Sequence, residues 1–418
     1  MAKYIRANGA NIDPLMKSPP QSSALPWYLV SNSLAISGMT LQGFLFTWLL
    51  IGELDTPPEQ VGYARSIAEF FALIPLLLGG FIADRSESRS YILRVQFFML
   101  LPPLCLAWVV SDGALSYWWV VGFATVMASL NSLVDPARQA IINRVTRFDI
   151  QRTVTLITVV SSIVGMGGFY LGGNLETIGL FWLFVIQGGI FALSLGALLP
   201  LDPMPNTSPR SKLELLAGLH AVWQQKIVRN IMGLSFLSNL FNGGAYIIAI
   251  PFIVTQVYSG GPEMLADVFI AFTAGSVSSN LLLLAIMPLT YPGRLFVSMQ
   301  VTRIAILVVL ISQPPLWLFY VMMFIWGLNM GVTTTMVRTT VQELAQANHR
   351  AKILAILLFS FLCASFFSSP LLGLLIKYTS PLTALYPGII VSLVVVFIGY
   401  FKSGLWQYRS GGSKQGNL

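Results

Sequence analysis

Twelve apolar runs, each long enough to cross a bilayer and parted by short polar breaks, constrain this chain more than any other feature. They fall near 27–51, 60–83, 91–111, 116–141, 153–174 and 177–200, then 229–257, 264–289, 295–313, 315–341, 352–376 and 381–402. A crossing helix needs about 20 such residues, because hydrocarbon offers no water to backbone N–H and C=O groups and the helix must satisfy them itself. Most of the 418 residues are consumed this way, which forbids a sizeable domain outside the membrane. Composition agrees: 55% of residues are hydrophobic and only 10% are charged, against about 25% charged in soluble domains. A soluble enzyme, a nucleic-acid-binding domain and a disordered chain are excluded. The prediction is an all-α polytopic membrane protein with twelve transmembrane helices.

The charges that remain are sorted by side. Placing the N-terminus in the cytoplasm puts all but three of the 24 basic residues on tails or inner connections. The exceptions are Lys377 in an outer loop and Arg65 and Arg303 within spans. Outer connections carry Glu53, Asp55, Glu59, Asp112, Glu176, Glu263 and Asp267 instead. The positive-inside rule therefore predicts cytoplasmic termini in a cell (inner) membrane. The net charge of +8 is a topology signal, and no nucleic-acid partner is needed to explain it.

Residues 1–26 lack the apolar core of a signal peptide and read as a cytoplasmic tail. The 201–228 segment opens with several prolines and then turns amphipathic, with Leu213, Leu216, Leu219 and Trp223 set against Lys212, Gln224 and Lys226. A short surface helix is expected there. This break divides the chain into bundles at 27–200 and 229–402, with 403–418 as a second tail. The halves echo each other: Arg138 finds Arg338 and Arg152 finds Lys352 at an offset of 200, and Gly172 finds Gly373 at 201. Two pseudo-symmetric six-helix bundles with a cavity between them are the construction of many secondary transporters.

Cys105 and Cys363 each lie in an apolar run, and His220 and His349 stand far apart, so neither a disulfide framework nor a metal site is expected. No phosphate-binding Gly-x4-Gly-Lys-Ser/Thr occurs, which argues against ATP as the driving force. No cofactor is expected.

The most specific local pattern is Gly79-Gly80-Phe81-Ile82-Ala83-Asp84-Arg85-Ser86-Glu87-Ser88-Arg89, at the inner end of the second span. Small residues let helices approach closely, Asp84 suits a helix terminus, and Arg85 and Arg89 are placed to pair with carboxylates. A basic loop that merely fixes topology is the plainer reading. With these residues the chain resembles the major facilitator superfamily, whose signature is a Gly-x3-(Asp)-Arg-x-x-x-Arg loop between helices 2 and 3. The resemblance implies a loop that latches the halves and governs switching between inward- and outward-open states, with Arg138 and Arg338 as partners at the fourth and tenth spans. Asp135-Pro136-Ala137-Arg138-Gln139-Ala140 and Leu216-Ala217-Gly218-Leu219-x-x-Val222 are similar to the branch of bacterial siderophore (enterobactin-type) and drug exporters. The second-half loop at Tyr291-Pro292-Gly293-Arg294 has lost the acid. The family's antiporter motif on helix 5 is Gly168-Phe169-Tyr170-Leu171-Gly172-Gly173 here, with phenylalanine where proline is usual, and the arginine usual in mid-helix 4 is absent.

Charges inside a bilayer cost several kcal/mol unless paired or hydrated. Arg65 and Glu69 lie four apart on one face of span 2, and Asn131, Asp135 and Arg138 form a stripe down span 4. Glu69 and Asp135, with Arg65, are candidates for proton coupling; static ion pairs are the alternative. Arg303 has no evident partner and faces either an anionic substrate or a cluster of carbonyls. Helices 1, 4, 7 and 10 line the pocket by resemblance, offering Gln42 and Phe46, Asn131, then Asn239, Asn242 and Tyr246, then Trp326, Asn329 and Thr333. Neutral amides among aromatic rings suit a small amphipathic molecule. The expected function is secondary active transport by alternating access, as proton-coupled export by a monomer embedded in lipid. A lysophospholipid or lipid flippase, a small-solute importer, and a non-cycling receptor or scaffold are the alternatives.

Overall fold

The computed structural model describes residues 24–83, 85–146, 150–203, 215–286, 289–344 and 350–410. Among them the chain is helical throughout, with no strand. We label the apolar helices α1 (Ala24–Glu53), α2 (Pro58–Ala83), α3 (Ser88–Ser111), α4 (Tyr117–Val145), α5 (Ile150–Gly173), α6 (Leu180–Gly196), α7 (Lys226–Val257), α8 (Pro262–Ile286), α9 (Pro292–Ile311), α10 (Leu316–Leu344), α11 (Arg350–Tyr378) and α12 (Thr383–Phe401). Eleven are long and apolar enough to cross a membrane. The sixth differs from the single span expected at 177–200. It begins with a separate turn, Leu175–Ile178, and breaks at Gly179, whose φ of +85° glycine adopts without a Cβ clash. The remaining helix has 17 residues, about 25 Å long at 1.5 Å per residue.

The order of packing repeats after six helices. In the first group α2 lies on α4, α1 on α5 and α6, and α3 on α4 and α6; in the second α8 lies on α10, α7 on α11 and α12, and α9 on α10 and α12. The two groups meet through α2 against α11 and α5 against α8, contacts that exchange with each other under the same shift. Arg85, Arg89, Arg138, Arg229, Arg294 and Arg338 lie at one end of the molecule, the basic end; Glu53, Glu59, Asp112, Glu176, Glu263 and Asp267 lie at the other, the acidic end.

Between the groups a short helix, Leu215–Gln224, presents Leu219 and Trp223 outward, with the Arg229 guanidinium 5.3 Å from the Trp223 ring. Leu213 and Lys212 lie outside the described residues. The segment 403–410 folds back on the basic end. Trp406 O accepts from Arg294 Nε at 2.8 Å, and Glu343 accepts from Tyr408 Oη at 2.9 Å and Ser410 Oγ at 2.7 Å. Burial and the adjacent Glu343 carboxylate push the Tyr408 pKa up.

Candidate transport cavity and its charged residues

The crossing of α2 and α11 is built from small and polar side chains. A Cβ added at Gly62 would strike the Ser369 carbonyl, and one at Gly373 the Pro58 carbonyl, so the backbones meet only because both positions lack a side chain. Lys377 Nζ lies 2.8 Å from Glu59 Oε1, and Ser66 Oγ donates to Phe366 O at 2.7 Å. Deeper in, Glu69 Oε1 accepts from Arg65 Nε at 2.8 Å and from Ser365 Oγ at 2.7 Å, so the pair expected within α2 also reaches the other half. Glu69 Oε2 is buried and bonded to nothing among the described residues. Glu59, Ser66 and Glu69 thus bond across to α11 along a single stretch of α2.

Aromatic rings continue the closure towards the acidic end. Phe269 of α8 lies 6.4 Å from Phe44, 5.2 Å from Phe169 and 5.4 Å from Tyr246. Tyr246 stacks on Phe272 at 3.9 Å, and Trp326 meets both rings edge-on. Outside this plug a cavity of about 450 Å³ is lined by Glu176, Glu263, Asp267 and Tyr320.

The stripe on α4 forms as the spacing predicts. Arg138 Nη1 donates to Asn131 Oδ1 at 3.2 Å and lies 3.6 Å from Asp135 Oδ1, while Asn131 Nδ2 donates to Asp135 Oδ2 at 3.3 Å. Pro136 has no N–H to return to the Ser132 carbonyl, which loosens the turn between acid and base. Arg138 Nε and Nη2 are buried without a partner among the described residues.

Arg303 of α9 is 2% exposed, and the oxygens it meets are all on side chains, the amide carbonyls of Asn329 and Gln300 among them. Nε and Nη2 both donate to Asn329 Oδ1, at 2.9 and 2.6 Å; Nη1 reaches Ser238 Oγ at 2.7 Å and Gln300 Oε1 at 3.4 Å; Nη2 also reaches Thr333 Oγ1 at 3.1 Å. Asn329 and Thr333 are thus held by the arginine, and Asn329 Nδ2 is occupied by Met299 O and Thr302 Oγ1.

Other expected site residues are distributed unevenly. Gln42 and Asn239 make no side-chain hydrogen bond within the described residues, whereas Phe46 is packed in the apolar core. Asn242 turns from the expected cavity: its Nδ2 donates to Ser238 O at 3.1 Å and Ser392 Oγ at 3.4 Å, towards α12. In the signature loop Gly79 lies against the Leu133 carbonyl, while Gly80 faces open space. Asp84 lies outside the described residues. Among the described residues the partners found for the loop arginines are a ring and two carbonyls. Arg85 sits 3.3 Å over the Phe81 ring, and Arg89 donates to Leu198 O and Leu199 O, because the carbonyls ending α6 face it. Arg338 is exposed and unpaired among the described residues. Gly172 and Gly373 are not equivalent, since Gly172 packs on Phe44 within its own half. Sequence reading missed Ser365, Ser238 and Gln300; the cluster Ser360, Ser365, Ser368 and Ser369 inside an apolar run was the available signal for the first.

Comparison with known proteins accords with this geometry. The family model described as Major Facilitator Superfamily matches residues 28–360. No curated protein sequence matches the chain. Among solved structures, the nucleoside transporter NupG aligns with TM-score 0.69 at 12% identity, over 92% of this chain and 99% of its own. A POT family transporter in complex with 5-aminolevulinic acid gives 0.71 at 12% identity, over 91% and 96%. A D-xylose–proton symporter gives 0.67 at 13%, over 91% and 96%. These likenesses concern the fold.

Proposed function

The chain belongs to the Major Facilitator Superfamily, and on that premise we propose that this multi-pass membrane transporter exports a small amphipathic molecule in exchange for protons. The basic end is the cytoplasmic face of a cell (inner) membrane, with both termini on that side. The transporter works as a monomer that takes its cargo between its two halves, and siderophore- or drug-type solutes are that cargo.

One observation carries the coupling. Glu69 joins Arg65 on its own helix to Ser365 on the opposite half, with its second oxygen buried and without a partner among the described residues. Protonation would weaken the Arg65 pair and turn one oxygen from acceptor to donor, loosening the crossing at the depth where the halves part. Binding of a proton from the acidic end is thereby linked to opening of that end. Asp135 beside Arg138 is the second carboxylate, with Arg138, Arg85 and Arg89 as the switch at the basic end.

Proteoliposomes under an imposed pH gradient test the reading with candidate siderophore- and drug-type compounds. Export-direction flux is expected to rise with the gradient, and Glu69→Gln to abolish that response while gradient-free exchange continues. Flux indifferent to the gradient, or an unchanged pH response in both Glu69→Gln and Asp135→Asn, would sink proton coupling.

A further inference from the structure

Arg303 presents an unbalanced charge. Its five N–H bonds are filled by neutral oxygens of Asn329, Ser238, Gln300 and Thr333. No carboxylate pairs with it among the described residues, although a buried arginine charge in hydrocarbon surroundings costs several kcal/mol without compensation. The nearest acid along α10 is Glu343, ten residues beyond Thr333, or about 15 Å along the helix, and it is taken by Tyr408 and Ser410. The network is also rich in donors: Gln300 Nε2 is buried with no acceptor among the described residues.

Beside the guanidinium lies a recess of about 20 Å³, whose polar lining is Ser235, Ser238, Asn239, Arg303, Thr333 and Thr334. The neutral members of that lining divide cleanly. Ser238 and Thr333 spend their hydroxyl protons on Gln300 Oε1 and on the Asn329 and Met330 carbonyls. Ser235, Asn239 and Thr334 make no side-chain hydrogen bond within the described residues. Three free donors therefore rim a small recess with an uncompensated positive charge at its wall. A recess of that size holds one water, one halide ion or one small polar head, and not a whole solute.

We propose that this recess is an anion site that anchors the carboxylate of the transported solute. It rests on the transport reading above and narrows it: the amphipathic cargo carries a monoanionic end. Asn239, Ser235 and Thr334 donate to the carboxylate oxygens, and Arg303, fixed by its own network, supplies the charge from behind. Direct contact with the guanidinium is not required, because the low dielectric leaves its field largely unscreened.

Benzoate and benzamide share one shape and differ in charge, so their binding to the purified full chain is the test. By calorimetry at neutral pH, benzoate is expected to bind at least about tenfold tighter than benzamide, the size of one hydrogen bond to a charged group. The triple variant Ser235→Ala, Asn239→Ala, Thr334→Val spares the Arg303 network and is expected to lower the ratio by about threefold or more, leaving only the preference that the guanidinium field supplies. Equal binding of the two compounds in the unaltered chain overturns the proposal, and so does an unchanged preference in the triple variant. Displacement of bound chloride without any benzoate preference would also overturn it, by assigning the recess to an inorganic ion. The assay needs no turnover: charge-selective binding with no flux of any carboxylate in proteoliposomes would count against the transport reading and not against the site.

Discussion

Among the described residues each half of the molecule buries one arginine, and the two are held by opposite means. Arg138 has one carboxylate 3.6 Å away, one amide oxygen, and two guanidinium nitrogens left without partners among the described residues. Arg303 has no carboxylate among the described residues and every N–H filled, across α7, α9 and α10. An incompletely bonded ion pair on a proline-loosened helix has little to lose on rearrangement. A saturated fork tying three helices has a great deal. On the proposed reading, the first half carries the charge that moves, and the second the charge that stays and receives an anion.

Removing the fixed arginine is expected to have the largest effect. Arg303→Met leaves Asn329 Oδ1 without a donor and takes one donor each from Ser238, Gln300 and Thr333 in an apolar setting, an unmet group costing about 1–3 kcal/mol. A loss of roughly 3 kcal/mol or more should appear as collapse of the thermal midpoint of the detergent-solubilised protein. Arg138→Met should cost less than half as much, since it frees Asp135 to face solvent, its side chain being 44% exposed. Equal losses would erase the distinction between the two halves.

Next in size is a change of chemistry at constant charge. Lysine keeps the cation but lacks the planar fork that serves Asn329 and Ser238 together. Arg303→Lys is expected to lower stability by about 1–2 kcal/mol, whereas Arg138→Lys should shift it by no more than about 0.5 kcal/mol. The thermal midpoints of the two variants, compared side by side, check this. Asp135→Asn makes Arg138 resemble Arg303 by taking away its acid. It is expected to lower stability by about 1 kcal/mol, because the buried guanidinium loses a partner that is itself half-exposed, and to slow proteoliposome flux by about tenfold.

The difference between these arginines also marks how far residue patterns reach. Helix count, the two ends of opposite charge and the repeat of packing after six helices follow from hydropathy and charge spacing, which are local and periodic. The α4 stripe and the Arg65–Glu69 pair follow from helical spacing alone, and both formed. Contacts between helices do not have that property. Arg303 meets Ser238 and Asn329 at separations of 65 and 26 residues, and Glu69 meets Ser365 at 296. Serine is too common in membrane helices for its identity to reveal which helix it faces. Asn242 shows the converse: it shares a face with Asn239 by spacing, yet the π-helical turns at Asn239–Gly243 and Ala245–Ala249 rotate that register towards α12.

The smallest expected effect concerns what supports Arg138. Tyr28 Oη, on the first turns of α1, donates to the Arg138 carbonyl at 2.7 Å and is itself 2% exposed. This bond fixes the backbone of α4 where it carries the stripe, while the guanidinium remains under-bonded. Tyr28→Phe removes the hydroxyl and nothing else, and the orphaned carbonyl is in a helix that already bonds it, so about 1 kcal/mol of stability should be lost. If Arg138 belongs to a moving element, the variant should also raise flux modestly, by up to about threefold, because a tether to α1 has been cut. Ser31→Ala, whose hydroxyl ties the same helix to Ser194 of α6 rather than to α4, is the control. It should cost a similar amount of stability with flux unchanged. Flux rising equally in both variants would mean that general loosening, and not release of α4, governs the rate.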